Sequence, residues 1–232
     1  MSRLEWDKES ERLYETGVSN VVLFVRGATA YNPGVAWSGV TAFNFSPSGG
    51  DATKIYADNQ QYLTMYSKEE LGATIEAYQS PKEFDVCDGE AEVAPGVNIK
   101  QQERKSFGLI VRTEIGNDTD GVEHGYKYHV LYGCKASPSS MNYATENESP
   151  EAMTLSWELT TTPVKIAGKK PTACIEINST KVDAAKLATF EDLIFGTDQQ
   201  APTEPGGDPI PGTESRLPSP DEIIALFTAE GL

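Results

Sequence analysis

Two histidines and three cysteines are the side chains here best suited to nucleophilic, acid–base or soft-metal chemistry. A hydrolytic site would need a nucleophile held beside a histidine and oriented by a third group. Neither His124 nor His129 stands in a recognisable motif with a serine or cysteine. No P-loop, dinucleotide fingerprint or H-E-x-x-H occurs. Cys87, Cys134 and Cys174 are far apart, odd in number and without C-x-x-C spacing. They read as reduced, semi-buried small apolar side chains in a reducing compartment. The run Gly116-Asn117-Asp118-Thr119-Asp120-Gly121-Val122-Glu123-His124 offers oxygen ligands of the kind calcium takes. It lacks EF-hand spacing, and the same residue types build ordinary hairpin connections, so a turn is expected. Other carboxylates are scattered without spacing. The expectation is no enzyme, no cofactor and no metal.

Charge narrows the partners. The 232 residues carry a formal −16. Binding a nucleic acid needs cations that displace condensed counterions, so this surface repels DNA. A protein that DNA passes without being held is still allowed. Hydrophobic residues make up 38% of the chain and are spread up to about Gly196. That predicts one sizeable β domain with tails. No stretch approaches the roughly 20 apolar residues of a membrane span, so no membrane insertion is expected. The segment Met1-Ser2-Arg3-Leu4-Glu5-Trp6-Asp7 lacks the apolar middle of a secretory signal, which predicts folding in a cytosol.

The elements that would position any site are mostly strands. Residues 1–17 form a polar arm with single apolar anchors at Leu4, Trp6 and Leu13. A strand is expected over 20–25, where Val21-Val22-Leu23-Phe24-Val25 is apolar throughout. Another covers 35–45, with a bulge near Gly39, and 46–51 must be loop. Strands over 54–59, 61–67 and 71–79 follow, the last two joined by a charged hairpin turn at Lys68-Glu69-Glu70. Tyr62, Thr64 and Tyr66 face one way, Leu63 and Met65 the other. Residues 107–115 and 126–135 form a pair joined by the polar loop 116–125, and strands cover 153–164 and 172–178. One helix is expected in the body, over 182–195, with Asp183 in its first turn and Gly196 at its end. A Pro-rich linker follows Gly196. Ser219 and Pro220 then open a short amphipathic piece, Ile223-Ile224-Ala225-Leu226-Phe227. The two ends read either as arms docking on neighbouring copies or as disordered tails, and the Ile-Ile-x-Leu-Phe cluster favours docking.

Several of these segments resemble the major tail proteins of siphophages. They are Val35-Ala36-Trp37, Thr41-Ala42-Phe43-Asn44, Ser46-Pro47-Ser48-Gly49 and Tyr56-Ala57-Asp58-Asn59. Glu70-Leu71-Gly72-Ala73-Thr74-Ile75-Glu76-Ala77-Tyr78, Gly125-Tyr126-Lys127, Tyr132-Gly133 and Ala136-Ser137-Pro138-Ser139 follow. Ser149-Pro150-Glu151-Ala152, Trp157-Glu158 and Thr160-Thr161-Thr162-Pro163-Val164 complete the set. The resemblance spans 18–196, and it rests on order and spacing. It implies a mainly β fold: a tail-tube-type β-sandwich with one flanking α-helix. Its strands would contribute to a closed inner β-barrel in a hexameric ring. Rings would stack around a tape measure protein and meet tail terminator and distal tail proteins. The product would be a virion tail, assembled in the host cytoplasm, through which DNA passes without binding. The C-terminal segment 197–232 is a less constant part of that family.

On this reading Tyr62, Thr64 and Tyr66, or Thr74 and Glu76, face the channel lumen. A core position for the tyrosines is an equal expectation. A carboxylate-lined wall would repel phosphates within roughly 8 Å at physiological salt. Inter-ring contacts fall on Ser46, Pro47, Ser48, Gly49, Asp51, Tyr56, Asp58 and Asn59. The N-terminal arm and Ile223, Ile224, Leu226 and Phe227 join them. Two alternatives remain at this point. One is the tube of a phage-derived bacteriocin or gene-transfer particle. The other is a monomeric carbohydrate- or cell-wall-binding β-sandwich using Trp37 and exposed tyrosines.

Overall fold

An apolar residue at every position from 21 to 25 requires cover on both faces of a strand. The computed structural model describes residues 3–143, 145, 152–199 and 211–229. There the run ends β1 (Tyr14–Val25), and both of its faces are indeed buried. After it come β2 (Val35–Trp37), β3 (Val40–Ser48), β4 (Ala52–Ala57), β5 (Gln60–Tyr66) and β6 (Glu70–Ala77). A helical turn, Lys82–Phe84, leads into α1 (Asp85–Asp88). The remaining strands are β7 (Ala91–Ala94), β8 (Val97–Ile99), β9 (Phe107–Asn117), β10 (Gly121–Ala136), β11 (Leu155–Thr160) and β12 (Cys174–Asn178). Helices α2 (Ala184–Phe195) and α3 (Pro220–Thr228) end the described chain.

The fold is mainly β, and every strand pairing is antiparallel. One sheet runs β2-β1-β9-β10-β12, the other β10-β11-β6-β3. Strand β10 belongs to both. Lys127 to Leu131 pair with β12, while Lys135 and Ala136 pair with β11. The switch falls at Gly133, whose φ of 59° lies in the left-handed region. A Cβ there would stand 2.5 Å from the Thr162 carbonyl oxygen, so the corner admits glycine alone. Within one chain the second sheet stays open and ends at β3, and no closed barrel forms among the described residues.

The first core lies between the sheets. Leu23, Leu109, Val111 and Leu131 meet Ala73, Ile75, Trp157 and Leu159. Phe84 plugs the gap beside them, 4.5 Å from the Trp37 ring and 5.2 Å from Trp157 between centroids. The Trp37 indole N–H donates to the Gln79 carbonyl at 2.8 Å. The second core covers the opposite face of the first sheet. Phe24, Ile110, Tyr128, Val130 and Tyr132 pack under Leu187, Phe190 and Ile194 of α2 and Ile223 of α3. The Asp183 carboxylate caps α2 by accepting from the Ala185 and Lys186 N–H groups. In α3 the Ser219 hydroxyl accepts from Glu222 N–H, and the Glu222 carboxylate accepts from Ser219 N–H.

Several boundaries differ from the sequence expectation. The stretch 35–45 breaks at Gly39 (φ 81°), because the chain there leaves one sheet for the other. Residues 46–48 are strand, and only 49–51 form a bend. Lys68-Glu69-Glu70 makes no hairpin turn. The turn is Asp58-Asn59, with φ of 50° and 62°, the pattern that closes two-residue hairpins. Consequently β5 pairs with β4, and β6 with β3 and β11. The loop 116–125 is largely strand, with a connection of only Asp118-Thr119-Asp120. The helical turn and α1 over 82–88 and the hairpin β7–β8 were not anticipated. The motif Ser149-Pro150-Glu151 lies outside the described residues.

Candidate functional site

Among the described residues, surface that one copy leaves uncovered stands out. The second sheet shows this first. Register places Ala42, Asn44, Ser46 and Ser48 of β3 opposite Glu76, Thr74, Gly72 and Glu70 of β6. Ser156, Glu158 and Thr160 of β11 continue the same rows. Alternate residues Phe43, Ile75 and Trp157 point into the core, so the polar rows form the outer face. That face carries Glu70, Glu76 and Glu158. Lys135 stands at its end, opposite Thr160. Thr74 and Glu76 therefore lie together on one polar face, beside a carboxylate that sequence did not single out.

Tyr62, Thr64 and Tyr66 lie elsewhere. Strands β4 and β5 extend the β3–β6 hairpin past a bend at Gly49-Gly50-Asp51 and Ser67-Lys68-Glu69. Asp51 N–H donates to the Ser67 hydroxyl and Ser67 N–H to the Asp51 carbonyl, each at 3.0 Å. Beyond this clamp the arm spans six to seven residues per strand, roughly 20 Å at 3.3 Å per residue. Both of its faces are open. Tyr62 is 72% and Tyr66 73% exposed, while Ile55, Leu63 and Met65 stand exposed as well. An isolated two-stranded hairpin is marginal in water, and exposed apolar clusters mark contact sites. Ser46, Pro47 and Ser48 lie at its root, Gly49 and Asp51 at its bend, Tyr56 on it, and Asp58-Asn59 at its tip. Pro47 sits on β3, a free edge, where its missing N–H breaks no ladder.

The C-terminal cluster is spent within the chain. Ile223 is 3% exposed, and Leu226 and Phe227 pack against the second core. The Phe227 ring centroid lies 6.1 Å from that of Phe190. Ile224 is half-buried and outside that cluster. The N-terminal anchors Leu4, Trp6 and Leu13 are exposed instead. Sequence reasoning also missed the hairpin β7–β8, which exposes Val93, Val97 and Ile99. Its signal was Pro95-Gly96, with Gly96 at φ 77°.

The histidines and cysteines lie in local hydrogen-bond networks or in the core. Asn117 organises the β9–β10 turn: its side-chain oxygen accepts from Thr119 and Asp120 N–H, and its amide meets Asp120 and His124. Those hydrogen bonds hold the Asp120 carboxyl below its usual range. Burial pushes the Cys87 and Cys174 thiols up to about 12, and Cys134 higher still. Among the described residues no cluster of three or more His, Cys, Asp or Glu side chains is placed to hold a metal.

His129 sits in the rim of the first core, with its Nε2 3.0 Å from the Thr113 hydroxyl and its ring against Phe45. Glu176, Lys127 and Glu15 surround it. Burial lowers its basicity below the ordinary 6.5, more than Glu176 raises it. The unfolded chain thus takes up the proton first as pH falls. The stability from a neutral His129 is complete above about pH 6.5 and is lost progressively below it. Replacing His129 by Gln should therefore cost more at pH 7 than at pH 5. Thermal unfolding across that range tests this, and a constant difference would contradict it.

No protein-family model matches the sequence, and no curated protein matches it. Among solved structures, one chain of the anti-feeding prophage baseplate, seen by six-fold symmetrised cryo-electron microscopy, is similar at 9% identity. The match covers 77% of this chain and 100% of that chain, with a TM-score of 0.37.

Proposed function

We propose that this chain is the repeating subunit of a long-tailed phage's tail tube, a structural protein without catalytic activity. Copies close into hexameric rings, and the rings stack into a hollow cylinder. The observation that carries this reading is the pairing of an open sheet edge with the exposed arm. An unpaired edge invites another strand, and closing a ring of sheets removes it. Around such a ring the polar face bearing Glu70, Glu76 and Glu158 lines the lumen, where carboxylates repel phosphates so that DNA slides. The arm, with Tyr56, Tyr62 and Tyr66, reaches a neighbouring copy. The resemblance of residues 18–196 to siphophage major tail proteins supports the same reading. A tape measure protein fills the tube during assembly in the host cytoplasm, and terminator and distal tail proteins meet its ends.

A bacteriocin or gene-transfer tube follows the same physics. The carbohydrate-binding alternative loses one platform, because Trp37 is 3% exposed inside the first core. Negative-stain electron microscopy of the concentrated protein should show rings and stacked rings. A species that stays monomeric at millimolar concentration, by sedimentation, would overturn the proposal.

A further inference from the structure

Strands β1, β9 and β10 run the length of the first sheet, and their two ends differ in charge. At one end Tyr14 pairs with Gly116, and the Asp118-Thr119-Asp120 turn meets the N-terminal arm through Arg12 and Asp118, 3.5 Å apart. Residues 3–13 and 118–124 carry seven carboxylates against Arg3, Lys8 and Arg12, a balance of −4 with His124 neutral. Glu9, Glu11 and Glu123 are exposed there.

At the other end, roughly 35 Å away along a 12-residue strand, the signs reverse. Arg26 follows β1, Lys105 precedes β9 and Lys135 lies near the end of β10. With Arg104 and Glu103 they line an open recess of 490 Å³. Asp88 and the Ala136 carbonyl hold Arg104, at 3.2 and 2.9 Å. Arg26 lies 4.9 Å over the Tyr31 ring and donates to the Thr29 carbonyl. No ion pair to Arg26, Lys105 or Lys135 occurs among the described residues. In a chain at −16 this concavity carries four cations against Glu103 alone.

We propose that the basic recess receives the acidic end of a second copy: the β9–β10 turn with the N-terminal arm beside it. The contact is head to tail, because the complementary surfaces lie at opposite ends of one subunit. Repetition therefore yields a filament, as stacked rings require. This rests on the tube reading and assigns it an axial contact distinct from the β3 edge. Opposed charges also make that contact sensitive to salt.

The test uses the full chain in three forms: Lys105→Glu/Lys135→Glu, Glu11→Lys/Glu123→Lys, and the four changes combined. Circular dichroism checks folding, and electron microscopy with sedimentation scores rings and stacks at low salt. Each double variant should shorten stacks at least fivefold, and the combined variant should restore them. Wild-type stacks shortened by moderate salt would agree. If the double variants stack like wild type, or the combination fails to rescue, this contact is wrong while the tube reading stands. A wild-type protein that never associates would remove both.

Discussion

Removing residues 211–232 will destabilise the folded subunit by about 5 kcal/mol, before any question of assembly arises. The segment includes α3, whose Ile223 is buried against the first sheet, with Leu217, Leu226 and Phe227 partly buried around it. Full burial of one such side chain contributes about 1.5–3 kcal/mol, so one full and three partial burials give that sum. The loss also removes the Pro218 carbonyl that accepts from the Tyr132 hydroxyl at 2.9 Å. Domains have margins of only about 5–15 kcal/mol, so the truncated chain should be aggregation-prone or unfolded at 37 °C. Urea denaturation measures the effect. An unchanged midpoint would mean that α3 leaves the sheet in solution, free to serve a neighbour.

Excision of the arm should do the opposite. Joining Asp51 to Ser67 removes 52–66, where every residue of β4 and all but Thr64 of β5 are exposed. No core side chain is lost, and surface changes of this kind shift stability by about 0.5 kcal/mol or less. The thermal midpoint should therefore hold. Self-association should fall by at least tenfold, because the exposed Tyr56, Tyr62, Met65 and Tyr66 supply the apolar contact area. Sedimentation read beside thermal unfolding separates the two quantities. A variant that folds and still forms tubes would relieve the arm of this role.

These contrasts mark what local pattern encodes. Strand periodicity identified the body, and the unbroken run at 21–25 signalled cover on both faces. Gly196 was correctly placed at the end of α2, because caps are local chemistry, while Asp183, expected in the first turn, stands one residue before the helix as its N-cap. Pairing partners were harder. Lys68-Glu69-Glu70 reads as a turn by composition, yet the chain only bends there, since the reversal occurs at Asp58-Asn59. That difference moves Tyr62 and Tyr66 from one sheet to another without altering their alternation. The fate of Ile223 was likewise illegible. An amphipathic helix announces that it will bury a face, whereas the identity of its cover depends on residues about 30 to 200 positions away. The basic recess drew on Arg26, Lys105 and Lys135, brought together only by the antiparallel register of β1, β9 and β10.

Strand β10 has one more consequence. It is stitched into both sheets, with its corner at Gly133. A pull on the second sheet reaches the first through this continuous backbone as well as through the core between them. Neither layer can peel away alone, so a subunit under load either holds as one body or gives way altogether.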